Sequence, residues 1–416
     1  MKKESLDFLM IAPTPFYANR GCHMRIRGEA EALQRKGKSV LVVTYKEGGD
    51  TNGLQIIRSP FGVGGFGRGV AASWKNIPAG IFLFWTVLYE TVYRRPKYLY
   101  GHLFEGAAIG LVVKYLAIVL SLFSYKPVLI LDAQDSLSAK MVGYGMLKEN
   151  SILLALFRLL EKFILFFPDH IFASSIQCAE SLKSVRPHSN PTNLPDGISI
   201  FQKEFSLETV NGFRGAEGKE KALEKLKLPP AESEKLEKWL ADQNQILIYT
   251  GSYTDAKGFP NFVKKCLPYL LKNYNLRFLF GGGHSSDIIH LENLISANPG
   301  RIISHSDLNL NNLLYFSTLG DIAIDCKPPV TTESSGKILN YMAVGLPVVC
   351  FDQKNNAFTL KDGGLLAKDY SEFTGNIIKL ANDPDLAKEM GEKNIKRAWS
   401  EFTWDKTAQK IIDTLE

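Results

Sequence analysis

The sequence predicts an α/β protein of two doubly wound parallel sheets, one in each of two domains. Three observations carry this. Short, continuously apolar runs alternate with helical stretches, the pattern of strands buried on both faces. The alternation breaks once, after Pro195-Asp196-Gly197, and restarts at Ile246. At 416 residues the chain exceeds what one core accommodates. Sheets of this kind bind ligands at the carboxyl ends of their strands, so the expected site is a cleft between two facing domains.

The first strand is expected at Phe8–Ala12, followed by the turn-rich loop Pro13-Thr14-Pro15-Phe16-Tyr17-Ala18-Asn19-Arg20-Gly21. A helix spans roughly Met24 to Lys36, with Ile26, Ala30 and Leu33 at helical spacing and Gly37 closing it. Strands follow at Ser39–Thr44, Lys97–Gly101, Val128–Leu131 and His170–Ser174. Residues 202–243 are rich in Lys and Glu, lack strand signals and read as a solvated helical connector. The second block places strands at Ile246–Thr250, Arg277–Phe280, Ile302–Ser304, Ile322–Asp325 and Pro347–Phe351.

Hydrophobic residues make up 45% of the chain, so both domains can bury substantial cores. Its five cysteines are scattered without a Cys-x-x-Cys pair. That argues against a disulfide framework or structural zinc and fits a reducing cytoplasm. The first residues run directly into a strand, without the apolar core of a signal peptide. A net charge of +6 is modest, and no dense basic stripe points to nucleic acid.

Residues Glu333 to Val349 read as a small-residue loop, a helix and a buried strand. Ser334, Ser335 and Gly336 permit close approach of a ligand. A helix opening beside Lys337 offers unpaired N–H groups and a cation, which suits phosphate. An ordinary helix-to-strand connection accounts for the segment equally well. The loop Gly251-Ser252-Tyr253-Thr254-Asp255-Ala256-Lys257-Gly258 also lies between a strand and a helix. Lys257 there is placed to neutralise a diphosphate; a solvated surface lysine is the plain alternative. Gly281-Gly282-Gly283 ends another strand and reads either as a tight turn or as main chain bared to a ligand.

In this order the elements resemble family-4 retaining glycosyltransferases, the glycosyl transferases group 1 enzymes of the two-domain GT-B fold. The resemblance covers nearly the whole chain. It is strongest in Tyr249–Gly258, Phe280–Gly283, Lys327–Val349 and Asn193-Leu194-Pro195-Asp196-Gly197-Ile198, and it includes Phe402-Thr403-Trp404 ahead of a last helix. It implies an acceptor-side domain over 1–197 and a nucleotide-sugar domain over 198–399. The last helix, about 400–416, would pack back on the first domain. It implies donor contacts from Gly21, Ser252, Lys257, Gly281, Gly282, Ser335, Gly336, Lys337 and Asn340. Lysine and helix dipole would hold the diphosphate, with no metal and no cofactor.

Departures from the pattern are clear. Glu333 fits the first of the family's two glutamates, but Tyr341 stands eight positions later, and alignment on Tyr-Met-Ala-x-Gly-x-Pro puts Asn340 in the second place. Ser252 replaces the usual arginine. Many members carry a histidine after the strand equivalent to Val128–Leu131, where this chain has Asp132-Ala133-Gln134-Asp135. His102, ending the preceding strand, is then the catalytic candidate beside Glu333, and it reads equally as a structural residue. His23, Gln134 and Asp135 are acceptor-side candidates.

The implied activity moves a hexose-type sugar from a nucleotide diphosphate donor to an acceptor hydroxyl, with a lipid-linked or cell-envelope glycan as acceptor. A sugar-nucleotide epimerase and a weakened nucleotide-sugar-binding subunit are the rival readings. Ile77–Tyr93 is apolar and aromatic with Arg94, Arg95 and Lys97 after it, which fits an interfacial helix at the inner membrane face as well as a core helix. Leu111–Tyr125 reads as a buried helix. Glu90 and Lys114 interrupt runs already short of about 20 residues, so neither is expected to span a bilayer.

Overall fold

Apolar pentads lay down both sheets. Phe8–Ala12 (β1), Val40–Thr44 (β2) and Tyr98–His102 (β4) are buried at every position, as strands covered on both faces must be. The computed structural model describes residues 6–17, 21–51, 53–62, 76–134, 136, 138, 141–142, 147–198, 206–306, 308–328 and 334–416. The chain divides into two units. Unit 1 holds Met1–Gly197, Thr331–Ser334 and Trp404–Glu416; unit 2 holds Ile198–Val330 and Ser335–Thr403.

Unit 1 is a parallel sheet in the order β3-β2-β1-β4-β5-β6-β7, completed by Gln55–Arg58 (β3), Val128–Ala133 (β5), His170–Ala173 (β6) and Thr192–Asn193 (β7). Leu9 and Ile11 of β1, with Leu41, Val43, Leu99 and Leu129, form one core face. Over it lie helices Asn76–Arg94 (α2) and Leu103–Leu120 (α3), which contribute Leu83, Val87 and Val113. The same layer continues through Leu131 and Ile171 to Ile164 of helix Ile152–Ile164 (α4), whose Ser151 side chain caps the Leu154 N–H. Alternate strand residues point the other way. There Tyr100 bonds Glu29 of helix Gly21–Arg35 (α1), and α1 packs on the C-terminal helix Trp404–Leu415.

Unit 2 is a parallel sheet in the order β10-β9-β8-β11-β12-β13. Its strands are Ile246–Thr250 (β8), Arg277–Gly281 (β9), Ile302–His305 (β10), Ile322–Asp325 (β11), Val348–Phe351 (β12) and Gly364–Ala367 (β13). The Lys/Glu-rich stretch is not a solvated connector. Its helices Leu207–Asn211, Gly215–Lys225 and Pro230–Ala241 bury Val210, Leu223, Leu236 and Trp239 in the core of unit 2. Each needs only one or two apolar residues facing inward, so composition hides the contact.

In unit 1, α1 and the last helix approach each other closely at Gly28. A Cβ there would lie 2.2 Å from the Trp404 ring. Gly28→Ala gains up to about 1 kcal/mol of helix propensity but loses about 1–3 kcal/mol to overpacking. Denaturant unfolding is expected to show a net loss; a stabilised variant would mean that Trp404 yields freely.

Candidate functional site

In unit 2 the strand order reverses between β8 and β11, so ligand space opens beyond their carboxyl ends. The residues there come from three loops. Gly251 follows β8 with φ +136°, a conformation open to glycine, and a Cβ on it would lie 3.3 Å from Lys337 Nζ. Gly281 ends β9, Gly282 follows, and Gly283 packs so closely on Tyr253 that a Cβ would meet its ring at 2.3 Å. Asp325 ends β11 and is buried, as is Lys327 two residues on.

Helix Gly336–Ala343 begins at this point. Ser335 occupies its N-cap and makes no side-chain capping bond. Among the described residues, Ser335 thus leaves the first N–H groups of the helix uncapped, the condition under which a helix terminus attracts an anion. Lys337 lies within this corner, 3.3 Å from Asp325 Oδ1 and 4.5 Å over the Tyr249 ring. It also donates to the Tyr249 hydroxyl at 3.3 Å. Burial alone would lower the Lys337 pKa, but the Asp325 charge overrides it and raises it. Asp325 answers in kind: burial favours its neutral acid, yet Lys337 holds it below the usual carboxylate value. Lys257 ends a short 3-10 turn, Asp255–Lys257, and is half-buried, while Ser252 is exposed.

Unit 1 gathers a second group at the carboxyl ends of β4 and β5. Asp132 is fully buried and accepts from Arg25 Nη2 at 2.7 Å and Nε at 3.0 Å, from Gln134 Nε2 at 3.1 Å, and from His102 Nδ1 at 2.9 Å. The Asp132 carboxylate accepts from His102 Nδ1, so in a neutral imidazole Nε2 is the acceptor. That Nε2 is buried and, among the described residues, has no hydrogen-bond partner. Arg25 further pairs with Glu29 at 3.1 Å and Asp196 at 2.8 Å, and Tyr100 donates to Glu29 at 2.8 Å. Glu29, His102 and Asp132 present ligand atoms within 4.8 Å of one another. The Arg25 guanidinium already supplies the positive charge that a cation would bring. Burial pushes Glu29 up to about 8 against the opposing pull of Arg25. For Asp132, burial also favours the acid, but Arg25 and His102 prevail and hold it well below the usual carboxylate range.

Of the remaining candidates, Gly21 opens α1 with open space where a Cβ would stand. His23 is enclosed, its Nε2 bonded to the Thr14 hydroxyl and its ring 6.0 Å from Phe16. Asn340 is buried in its helix. Glu333 and Asp135 lie outside the described residues. Sequence reasoning missed Arg25, Glu29 and Tyr100 altogether. The signal was present: Arg25 and Glu29 stand four apart on the α1 face that also carries Ile26 and Ala30, where charge has no place unless it is paired.

Residues 244–383 match the sequence model of the family "Glycosyl transferases group 1". Apart from Thr331–Ser334, the matched segment lies within unit 2, and it spans about a third of the chain. No curated protein matches the chain in sequence. Solved structures match it over nearly its full length. Sucrose-phosphate synthase from Thermosynechococcus elongatus is 15% identical and covers 98% of each chain at a TM-score of 0.71. Anabaena HepE in complex with UDP is 13% identical and covers 99% of each chain at 0.69. WaaG, a glycosyltransferase involved in lipopolysaccharide biosynthesis, is 14% identical and covers 98% of this chain and 99% of its own at 0.61. At such identities the likeness is one of fold, the two-domain GT-B architecture.

Hydrogen bonds within unit 2 explain the tyrosine eight positions after Glu333. The Tyr341 hydroxyl accepts the Thr250 N–H at 2.7 Å and the Thr250 hydroxyl at 3.1 Å. It ties the helix to the end of β8 and satisfies buried groups, which is a packing role.

The Glu29 carboxyl has a sign that can be checked. Its folded pKa of about 8 lies above its ordinary 4.5, so the folded state holds a proton that the unfolded chain has lost. Its contribution is present below pH 4.5 and is lost as pH rises towards 8, by up to about 1.4 kcal/mol per pH unit. Glu29→Gln is expected to flatten the fall in unfolding free energy between pH 5 and 8. Parallel parent and variant curves would show that Glu29 is ionised throughout.

Proposed function

We propose that the chain is a retaining glycosyltransferase that moves a hexosyl group from a nucleotide diphosphate sugar to an acceptor hydroxyl. The observation that carries this is the uncapped start of helix Gly336–Ala343 beside Lys337, at the strand-order reversal within the segment that matches group 1. The reaction breaks the bond between the anomeric carbon and the diphosphate, so negative charge grows on the leaving oxygens. Fixed N–H dipoles and a lysine held in place by Asp325 stabilise that charge without reorganising. Lys257 adds a second cation from the β8 loop. Glu333 orients the transferring sugar. In unit 1, the buried Nε2 of His102, its ring fixed by Asp132, is the atom proposed to accept a hydrogen bond from an acceptor hydroxyl.

The HepE complex makes UDP-sugars the first donors to test. A lipid-linked or cell-envelope glycan is the proposed acceptor, with the enzyme at the cytoplasmic face of the membrane. The deciding experiment follows release of free nucleotide diphosphate from a panel of sugar nucleotides, with and without lipid extract. Release that depends on extract supports transfer. Conversion of the donor without any acceptor would replace this reading with epimerisation, and no nucleotide binding at all would end it.

Lys257→Ala is expected to weaken nucleotide diphosphate binding by about 1.5–3 kcal/mol, the range for a charge-assisted hydrogen bond. Equal affinity of parent and variant by calorimetry would remove Lys257 from the site.

Glu333→Gln is expected to lower kcat far more than it changes donor affinity, the mark of a contact made mainly in the transition state. Unchanged turnover with a confirmed donor and acceptor would count against that role.

A further inference from the structure

We propose that α2, α3 and α4 of unit 1 together form a docking face for an anionic lipid bilayer. This names the surface and the lipid chemistry behind the membrane location proposed above, and its test is independent of the donor chemistry.

Among the described residues, 25 large apolar side chains are exposed, and 22 of them lie between Phe61 and Phe166. They follow helical spacing. On α2, Ile77, Ile81, Trp85 and Tyr89 form a stripe four apart, exposed by 54–64%, while Ala79, Leu83 and Val87 are fully buried. Beyond α3 the chain ends in Leu122 and Phe123, exposed by 86% and 67%. On α4, Ile152, Leu156, Leu159 and Phe163 repeat the pattern. Helix α2 packs on α3, and α3 on α4, so the three stripes lie side by side. A helix in a soluble protein needs an apolar stripe only towards its core; a second stripe towards solvent has to be covered by something.

Charge identifies the cover. The acidic residues of these helices are turned away from solvent. Glu90 is buried and paired with Arg94, Glu161 is buried against Ser136 and Ser138, and Glu105 is half-buried. The bases face outward: Arg95, Lys97 and Lys126 at the ends of α2 and α3, and Arg158 and Lys162 between the apolar residues of α4. Residues 1–197 carry 23 Lys and Arg against 15 Asp and Glu, whereas residues 198–416 carry 26 against 28. Excess positive charge thus belongs to the part that carries the apolar face, which suits anionic headgroups over acyl chains. Trp85, Tyr89 and Tyr93, which prefer the headgroup level of a bilayer, line a groove of about 490 Å3 on α2. Helix α3 has a mean hydropathy of 2.0 and the length to cross a membrane. Yet Ala107, Val113 and Ala117 seat it on the sheet, so it lies along the bilayer surface.

The test is flotation of the full chain with vesicles of phosphatidylcholine alone and of phosphatidylcholine mixed with phosphatidylglycerol. The parent is expected to float with the mixed vesicles and to detach as salt rises. Arg158→Glu with Lys162→Glu should weaken binding at least about 10-fold. Leu159→Gln with Phe163→Gln should do the same, and both variants should keep the parent's thermal unfolding because all four side chains are exposed. Vesicles should shift tryptophan emission to the blue in the parent and much less in Trp85→Phe. A parent that ignores mixed vesicles at low salt would overturn the proposal. So would a concentration-dependent dimer that both double variants abolish while vesicle binding persists, since a second copy would then cover the face.

Discussion

A parallel sheet that reverses its strand order leaves the carboxyl ends of two neighbouring strands free of crossing connections. Both sheets here do so, between β1 and β4 in unit 1 and between β8 and β11 in unit 2. The consequences differ because different residues end the strands. In unit 2, β8 leads into Gly251 and β11 ends in Asp325, so main chain, a lysine and an uncapped helix share one corner. In unit 1, β4 ends in His102 and Asp132 is next to last in β5, and the corner fills with paired charges. One constraint produces an anion-seeking site and an acid–base cluster.

Neither cluster is explained by stability. Replacing a buried ion pair with apolar groups of similar volume is often neutral or stabilising, whereas removing one partner costs about 3–5 kcal/mol. Asp132 serves Arg25, His102 and Gln134 together, so the network is expensive to keep and hard to change piecemeal. Clusters of that kind are concentrated where function needs a fixed charge or a tuned proton. The Asp325–Lys337 pair has the same logic on a smaller scale. Asp325 keeps Lys337 charged inside the unit and fixes its position, so less ordering would be left to the diphosphate proposed to bind there.

The central strands were legible in the sequence because a strand buried on both faces has to be apolar throughout, as Phe8–Ala12 and Ile246–Thr250 are. The two edge strands of unit 1 were not. Gln55–Arg58 is half-exposed and Thr192–Asn193 is two residues long, so neither produces an apolar run. Site residues divide the same way. Gly251 and Lys257 stand in a loop, and Lys337 in the first turn of a helix, whose position between strand and helix is readable along the chain. Asp325 as the partner of Lys337, and Arg25 as the partner of Asp132, depend on pairings 12 and 107 residues apart. No local pattern encodes those pairings. The Arg25–Glu29 spacing was visible, but its meaning came only with burial.

The apolar helices of unit 1 show the limit from the opposite side. Hydropathy along Leu111–Tyr125 suggested a buried helix, and half of that expectation holds, since Leu111, Val113 and Ala117 lie in the core. The other half fails because periodicity cannot tell a helix covered by protein from one covered by something else. That distinction needs the third dimension: which stripe meets the sheet, which lies beside the stripes of neighbouring helices, and which way the charges turn. Glu90 and Glu161 inward, Arg158 and Lys162 outward, is an arrangement that water alone does not require, because either sign is well solvated at a surface. A negatively charged surface does favour it, and the same stripes that give the fold its core on one side then give it an orientation on the other.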